Sequence, residues 1–270
     1  MNLSAVTELV PSPILDTAAD SFVAAKRHQD QNEFVFTENG HEFRYTYTDK
    51  KEFSFFFNAI QNGETRREGV PLELFNFDGG HDAIIDIGAH FGLYTVIFGV
   101  QNPDAEFVAF EPSSSNAAIC EQQVAANGMD ATVEQAAVSD HDGEAELALA
   151  ETEQSGLNWF ESSVSHSISP ELETTKTETV PVRSIDSILD ELDAEQPFVK
   201  IDAEGAEYQI MDELLERNGP IRGFVELHPD LINDGSAFEI ILWLEENGFD
   251  HEIIKDRVPT RPGLFFEPSA

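Results

Sequence analysis

Ala83–Ile84–Ile85–Asp86–Ile87–Gly88–Ala89–His90–Phe91–Gly92–Leu93–Tyr94–Thr95 is the stretch from which the fold follows. Ala83 to Ile87 is a short apolar run, long enough for a buried parallel strand and too short for a helix. Gly88 and Gly92 bracket a tight turn, and Leu93 to Val100 reads as an apolar helix. Strand, turn and helix bring backbone N–H groups and a helix N-terminus to one spot, which suits a nucleotide. Glycine belongs there because a Cβ would block the ligand or forbid the backbone angles. Asp86 closes the strand and carries a charge beside that spot.

The spacing narrows the choice of nucleotide. A dinucleotide fingerprint needs glycine at the first, third and sixth positions; here these are Gly88, His90 and Leu93, so one of three fits. The pattern is instead Asp-x-Gly-x-x-x-Gly. A second acid follows at the end of the next strand, Glu106–Phe107–Val108–Ala109–Phe110–Glu111. Glu111 lies 23 residues beyond Gly88, near the ~20 expected of a carboxylate that holds ribose hydroxyls. A third cluster is Lys200–Ile201–Asp202–Ala203–Glu204–Gly205–Ala206–Glu207. With Asp86–Thr95 and Glu111–Pro112, this cluster resembles the class I S-adenosylmethionine-dependent methyltransferases, and within them the FkbM family. The alternative is a generic α/β nucleotide turn with another ligand.

The charge balance is extreme: 15 Lys and Arg against 52 Asp and Glu, a net −37. So much charge often signals disorder, but 41% apolar residues, 21 Phe among them, in periodic order argue for a folded core. The reading is a folded chain with a solvated acidic coat, as in halophiles, where salt screens self-repulsion. Such a field repels nucleic acid and anionic membrane surfaces, so neither is expected as a partner. Cys120 is the only cysteine, which excludes a disulfide framework and a cysteine zinc site; it reads as an inert core residue. Met1 to Pro13 lacks the pattern of a secretory signal, and no apolar run reaches the ~18 residues of a membrane span. A soluble, cytoplasmic protein without membrane insertion is expected.

Residues 1–80 precede the nucleotide fold as an extension of helix, β-hairpin and helix. Ile14 to His28 is predicted as the first helix. Glu33–Thr37 and Glu42–Tyr47 flank Asn39–Gly40, a strong hairpin signal, and Phe53 to Ile60 forms the second helix. Arg66 and Arg67 are read as a clamp on an acidic group or as surface pairing with nearby Glu. From 81 to 270 strand and helix alternate, which implies a mainly parallel sheet covered on both faces. Ala131 to Ala136 is predicted as the third strand, and an insertion at about 140–181 breaks the alternation. It contains Trp159, Phe160 and His166 and is either a cover over the site or a floppy insertion. Five parallel strands with a terminal hairpin match the class I methyltransferase-like seven-stranded mainly parallel sheet with helices on both faces, plus the N-terminal α/β-hairpin extension.

Ligands of open parallel sheets bind at the carboxyl ends of the strands, where Asp86, Glu111, Asp202, Glu226 and His228 fall. The resemblance implies S-adenosylmethionine as cofactor. Its expected contacts are Asp86, Gly88, Ala89, His90, Phe91, Gly92, Tyr94, Thr95, Glu111, Pro112, Ala137 and Val138. Glu111 would accept from both ribose hydroxyls, backbone N–H groups of Gly88 to Gly92 would serve the carboxylate, and Ala137 and Val138 would lie beside the adenine. Asp86 would hold the ammonium through water or shape the turn. His90 is read as a turn residue, with a catalytic role as the alternative. Asp202, Glu204, Glu226 and His228 are the catalytic candidates, because methyl transfer to a hydroxyl needs a group that removes its proton. The same residues also suit a divalent cation, or a structural ion-pair network with Lys200; no resident metal is expected. The family resemblance implies a sugar, glycan or other small hydroxyl acceptor. A nicotinamide-dependent oxidoreductase and a non-catalytic cofactor-binding scaffold are the competing functions. The N-terminal eighty residues would shape the acceptor site or a homo-oligomer contact.

Overall fold

The computed structural model describes residues 26–28, 32–61, 80–148, 177–217, 219–228, 237–254 and 263–269. Arg66, Arg67, Trp159, Phe160 and His166 lie outside them. In chain order the elements are β1 (Lys26–His28), β2 (Glu33–Glu38), β3 (His41–Thr46), α1 (Lys50–Gln61), β4 (Ala83–Ile87), α2 (Leu93–Gln101), β5 (Glu106–Phe110) and α3 (Ser114–Asn127). Then come β6 (Ala131–Glu134), β7 (Ala137–Ser139), β8 (Gly143–Ala148), β9 (Thr177–Ser184), α4 (Ile185–Leu192), β10 (Pro197–Ile201) and α5 (Glu207–Glu216). The chain closes with β11 (Arg222–Glu226), α6 (Ala237–Glu246), β12 (Phe249–Ile254) and β13 (Gly263–Pro268).

Seven strands form the central sheet in the order β12-β13-β11-β10-β4-β5-β6. The pairs β11·β10, β10·β4, β4·β5 and β5·β6 are parallel, and the terminal hairpin adds β13 antiparallel to β11. The alternation predicts the mainly parallel sheet, and seven strands with a terminal hairpin are what the family resemblance implies. All five residues of β4 are buried, because helices cover both faces. Side chains alternate across the strand: Ile84 joins one core with α2 and α3, while Ile85 and Ile87 join the other with α4, α5 and α6. Burial pushes the Cys120 thiol up to about 12, so it behaves as the inert core residue expected.

Asn39 and Gly40 both take positive φ, 50° and 85°, the conformation a two-residue hairpin demands. The outer edge of β3 is closed by side chains rather than a strand. Asn127 Oδ1 accepts from Arg44 N at 3.0 Å and its Nδ2 donates to Arg44 O at 2.7 Å. Gln123 repeats the pattern one helical turn earlier, on Thr46 N at 2.8 Å and Thr46 O at 3.0 Å. Two amides at i and i+4 of α3 therefore satisfy alternate residues of a strand edge that would otherwise be open to pairing. The hairpin and α1 share one apolar cluster with α2 and α3.

Two local expectations change. Lys26–His28, predicted as the end of a helix, is a strand, because it pairs antiparallel with Glu33–Val35. Ala131–Ala136 does not run on as one strand. It stops at Glu134, and Ala137–Ser139 leaves the main sheet to pair parallel with Val182–Ser184, beside the antiparallel pair β8·β9. Among the described residues no helix is long and apolar enough to cross a membrane.

Candidate active site

The carboxyl ends of β4, β5, β10 and β11 lie side by side on one rim. The turn after β4 has Gly88 at φ 73° and Gly92 at φ 84°, as the need for glycine there predicts. The crowding comes from the protein itself. A Cβ on Gly88 would stand 1.8 Å from the Asp202 carbonyl oxygen, and one on Gly92 would stand 3.1 Å from Cys120 Sγ. Glycine here lets the ends of β4 and β10 touch, and lets α2 close on α3.

One expectation about this turn is corrected. Gly88 N and Ala89 N both donate to Phe110 O at 2.9 Å, and Gly92 N donates to Ala89 O at 2.8 Å. His90 N donates to Glu111 Oε2 at 2.8 Å. Four of the N–H groups expected to meet a carboxylate therefore serve the protein. The turn crosses the end of β5 and uses them to bind the two strand ends together. That leaves the N-terminal turn of α2 as the feature suited to an anion.

Beneath the turn, Asp86 is fully buried. Its Oδ2 accepts from the buried Thr95 hydroxyl at 2.6 Å, and its Oδ1 lies 3.1 Å from Lys200 Nζ. Lys200 also donates to Gly88 O at 2.8 Å and Ile87 O at 3.2 Å, and its ammonium sits 5.1 Å from the Tyr94 ring centroid. Burial opposes its charge, but Asp86 and Asp202 outweigh that and raise its pKa. Of the two roles expected of Asp86, such burial matches shaping of the turn.

Glu111 is 4% exposed. Besides His90 N, its carboxylate accepts from Ser113 N at 2.9 Å and Asn116 Nδ2 at 3.3 Å. Burial pushes its pKa up to about 7, against the pull of those donors and of Lys200. Pro112 is half-buried beside it, while Ala137 and Val138 are buried in β7.

Asp202 is the acid at the mouth, with its side chain 24% exposed. It lies 3.6 Å from Lys200 Nζ through Oδ2 and 3.6 Å from His228 Nε2 through Oδ1. His228 is held from behind by Glu207, whose Oε1 is 2.7 Å from Nδ1 and whose Oε2 accepts from Gly205 N at 2.9 Å. Glu207, the first residue of α5, is thus the buried partner of His228. Burial works against a charged imidazole, but Glu207 and then Asp202 and Glu226 carry its pKa up to about 9. A group already protonated at neutral pH has no lone pair with which to accept a proton, so the base must be sought among the carboxylates. Glu204, at φ 46°, and Glu226 are half-buried on the same rim. Asp202, Glu207 and His228 also put three ligand atoms within 4.8 Å of one another. That set draws in Glu207, which the cation alternative had not included.

Two participants were not among the residues expected at the site. Lys200 was expected only as the partner in a structural ion-pair network; its signal is a lysine inside the buried run Phe198–Ile201. Phe55 of α1 lies 4.8 Å from the His90 ring centroid and 5.2 Å from that of Phe91. Nothing in the run Phe55–Phe56–Phe57 says which ring faces the turn.

A sequence model described as the methyltransferase FkbM domain matches residues 86–250. No curated protein matches the chain. Among solved structures, an FkbM methyltransferase from Methylobacillus flagellatus KT is similar at 14% identity and a TM-score of 0.43, over 68% of this chain and 43% of that one. A precorrin-6y C5,15-methyltransferase from Geobacter metallireducens GS-15 is similar at 12% identity and a TM-score of 0.42, over 74% and 85%. M. jannaschii TYW2 in complex with AdoMet is similar at 10% identity and a TM-score of 0.36, over 88% and 87%.

Proposed function

Since the chain belongs to the FkbM methyltransferase family, and is therefore an S-adenosylmethionine-dependent methyltransferase, we propose that it methylates an oxygen of an uncharged hydroxyl acceptor, a sugar or glycan hydroxyl above all. The observation that carries this reading is the acidic mouth of the rim. Asp202 is partly open to solvent beside Glu204 and Glu226, within a chain of net charge −37. Acids in that position accept hydrogen bonds from neutral hydroxyls and repel phosphorylated acceptors. Family membership favours this over the nicotinamide and scaffold alternatives.

The donor set fits the cofactor. Glu111 at the end of β5 matches a ribose diol, the rim acids match the ammonium and the positive sulfur, and the N-terminus of α2 matches a carboxylate. When bound, S-adenosylmethionine supplies an electrophilic methyl group on a sulfonium. The chain's own residues do the rest. Asp202 accepts the proton of the acceptor's hydroxyl, which frees that oxygen for the methyl group the cofactor would supply. Lys200 and the imidazolium of His228 flank Asp202 and hold it in place. Gly88 keeps the ends of β4 and β10 in contact, which fixes the distance between donor and base. The acidic coat is read as adaptation to high salt, so assays belong in molar salt.

The test is a transfer assay with methyl-labelled cofactor and a panel of neutral oligosaccharides, sugar phosphates and tRNA. Label is expected in an alkali-stable ether on a neutral sugar, with sugar phosphates and tRNA unlabelled. Label in tRNA, or on nitrogen or carbon, would overturn the acceptor assignment.

A further inference from the structure

The residues that match the family begin at Asp86, yet a residue before them reaches the cofactor turn. Phe55 stands on α1, which shares its core with the hairpin and the α2/α3 face. The unit is fastened at several points. The Tyr45 hydroxyl donates to Leu93 O at 3.0 Å, and the Gln123 and Asn127 amides clasp β3. From this seat the Phe55 ring lies 4.8 Å from the ring of His90, which stacks on Phe91 at 3.9 Å on its own side. His90 is a non-glycine residue at φ 52°, a left-handed backbone conformation disfavoured by its Cβ. In this turn its N–H donates to Glu111 Oε2 at 2.8 Å.

We infer that Phe55 is a positioning residue for cofactor binding: its contact with His90 holds the strained turn so that the His90 N–H orients the Glu111 carboxylate toward the ribose. An aromatic contact and a left-handed backbone are comparable in energy, so one ring is enough to tip the balance. The extension is then part of the cofactor site and not an appendage to it. This rests on the reading that Glu111 holds the ribose.

Calorimetric titration of S-adenosylmethionine into wild type, Phe55→Ala, Phe55→Leu, Phe55→Tyr, Glu111→Ala and the double variant Phe55→Ala/Glu111→Ala tests it. Phe55→Leu keeps apolar volume should the alanine variant fail to fold. The expected result is affinity about tenfold weaker for the alanine and leucine variants, recovery in Phe55→Tyr, and kcat at saturating cofactor near wild type. Because Phe55 acts through Glu111, the double variant should bind no more weakly than Glu111→Ala. Wild-type affinity in Phe55→Leu, or additive losses in the double variant, would overturn the inference alone. Wild-type affinity in Glu111→Ala would overturn the ribose reading and this inference with it.

Discussion

Asp202→Asn is expected to lower the turnover number for methyl transfer by about 10²–10⁴, the usual contribution of a positioned general base, while cofactor affinity changes little. The amide keeps the shape of the carboxylate and loses the ability to take a proton. The assignment follows from the neighbours of Asp202. Its Oδ1 faces His228 at 3.6 Å and its Oδ2 faces Lys200 at the same distance, so it is the rim acid that meets both buried cations. His228, the other strand-end candidate, is a poor base at neutral pH. With a pKa of about 9, about one molecule in a hundred carries it neutral at pH 7. The two assignments separate in a pH–rate profile. With His228 as base, kcat should climb until about pH 9, and a climb of that kind is not expected otherwise. That climb, together with full turnover in Asp202→Asn, would move the chemistry to His228.

Lys200→Met is expected to destabilise the fold by about 3–5 kcal/mol, the scale for breaking a buried ion pair from one side. Asp86, wholly buried, would keep the Thr95 hydroxyl and lose its cation. The carbonyls of Ile87 and Gly88 would lose their shared donor at the point where β4 touches β10. Removing both charges relieves the worst of this, so Asp86→Asn/Lys200→Met should be more stable than Lys200→Met alone. Urea midpoints of wild type and the two variants provide the comparison. A double variant less stable than Lys200→Met would show that Lys200 contributes through packing and not through its charge. The ion-pair network of Lys200 with the rim acids, expected as one of three readings, is present at Asp202, and it also takes in Asp86, which that reading had not included. It does not compete with a base role, because Asp202 stays partly exposed while Lys200 and Asp86 are sealed.

Much of this was legible because it is local. The apolar run Ala83–Ile87, the glycines at 88 and 92 and the Asn39–Gly40 turn each state a backbone conformation within a few residues. The alternation that follows allows few ways to cover a parallel sheet. What was hidden depends on segments distant in sequence. Lys26–His28 is a strand only because Glu33–Val35 accepts it, and Ala137–Ser139 leaves the main sheet because Val182–Ser184 offers an edge. The inward N–H groups of the turn follow from where the Phe110 carbonyl lies, which no spacing of glycines reveals. The same holds for His228. A histidine after a strand reads as a base until the buried Glu207 behind it is seen.

Glu111 and the glycine turn together form the proposed S-adenosylmethionine site. The most direct test is calorimetric titration of S-adenosylmethionine and, separately, NAD into wild type and Glu111→Ala. Molar salt suits the acidic coat, and pH 8 keeps Glu111, with its pKa of about 7, mainly ionised. Saturable binding of S-adenosylmethionine is expected, weakened by roughly 1–3 kcal/mol in Glu111→Ala as for loss of hydrogen bonds to a charged group, with no saturable binding of NAD. Tight NAD binding that depends on Glu111, or S-adenosylmethionine binding indifferent to it, would rule out that site.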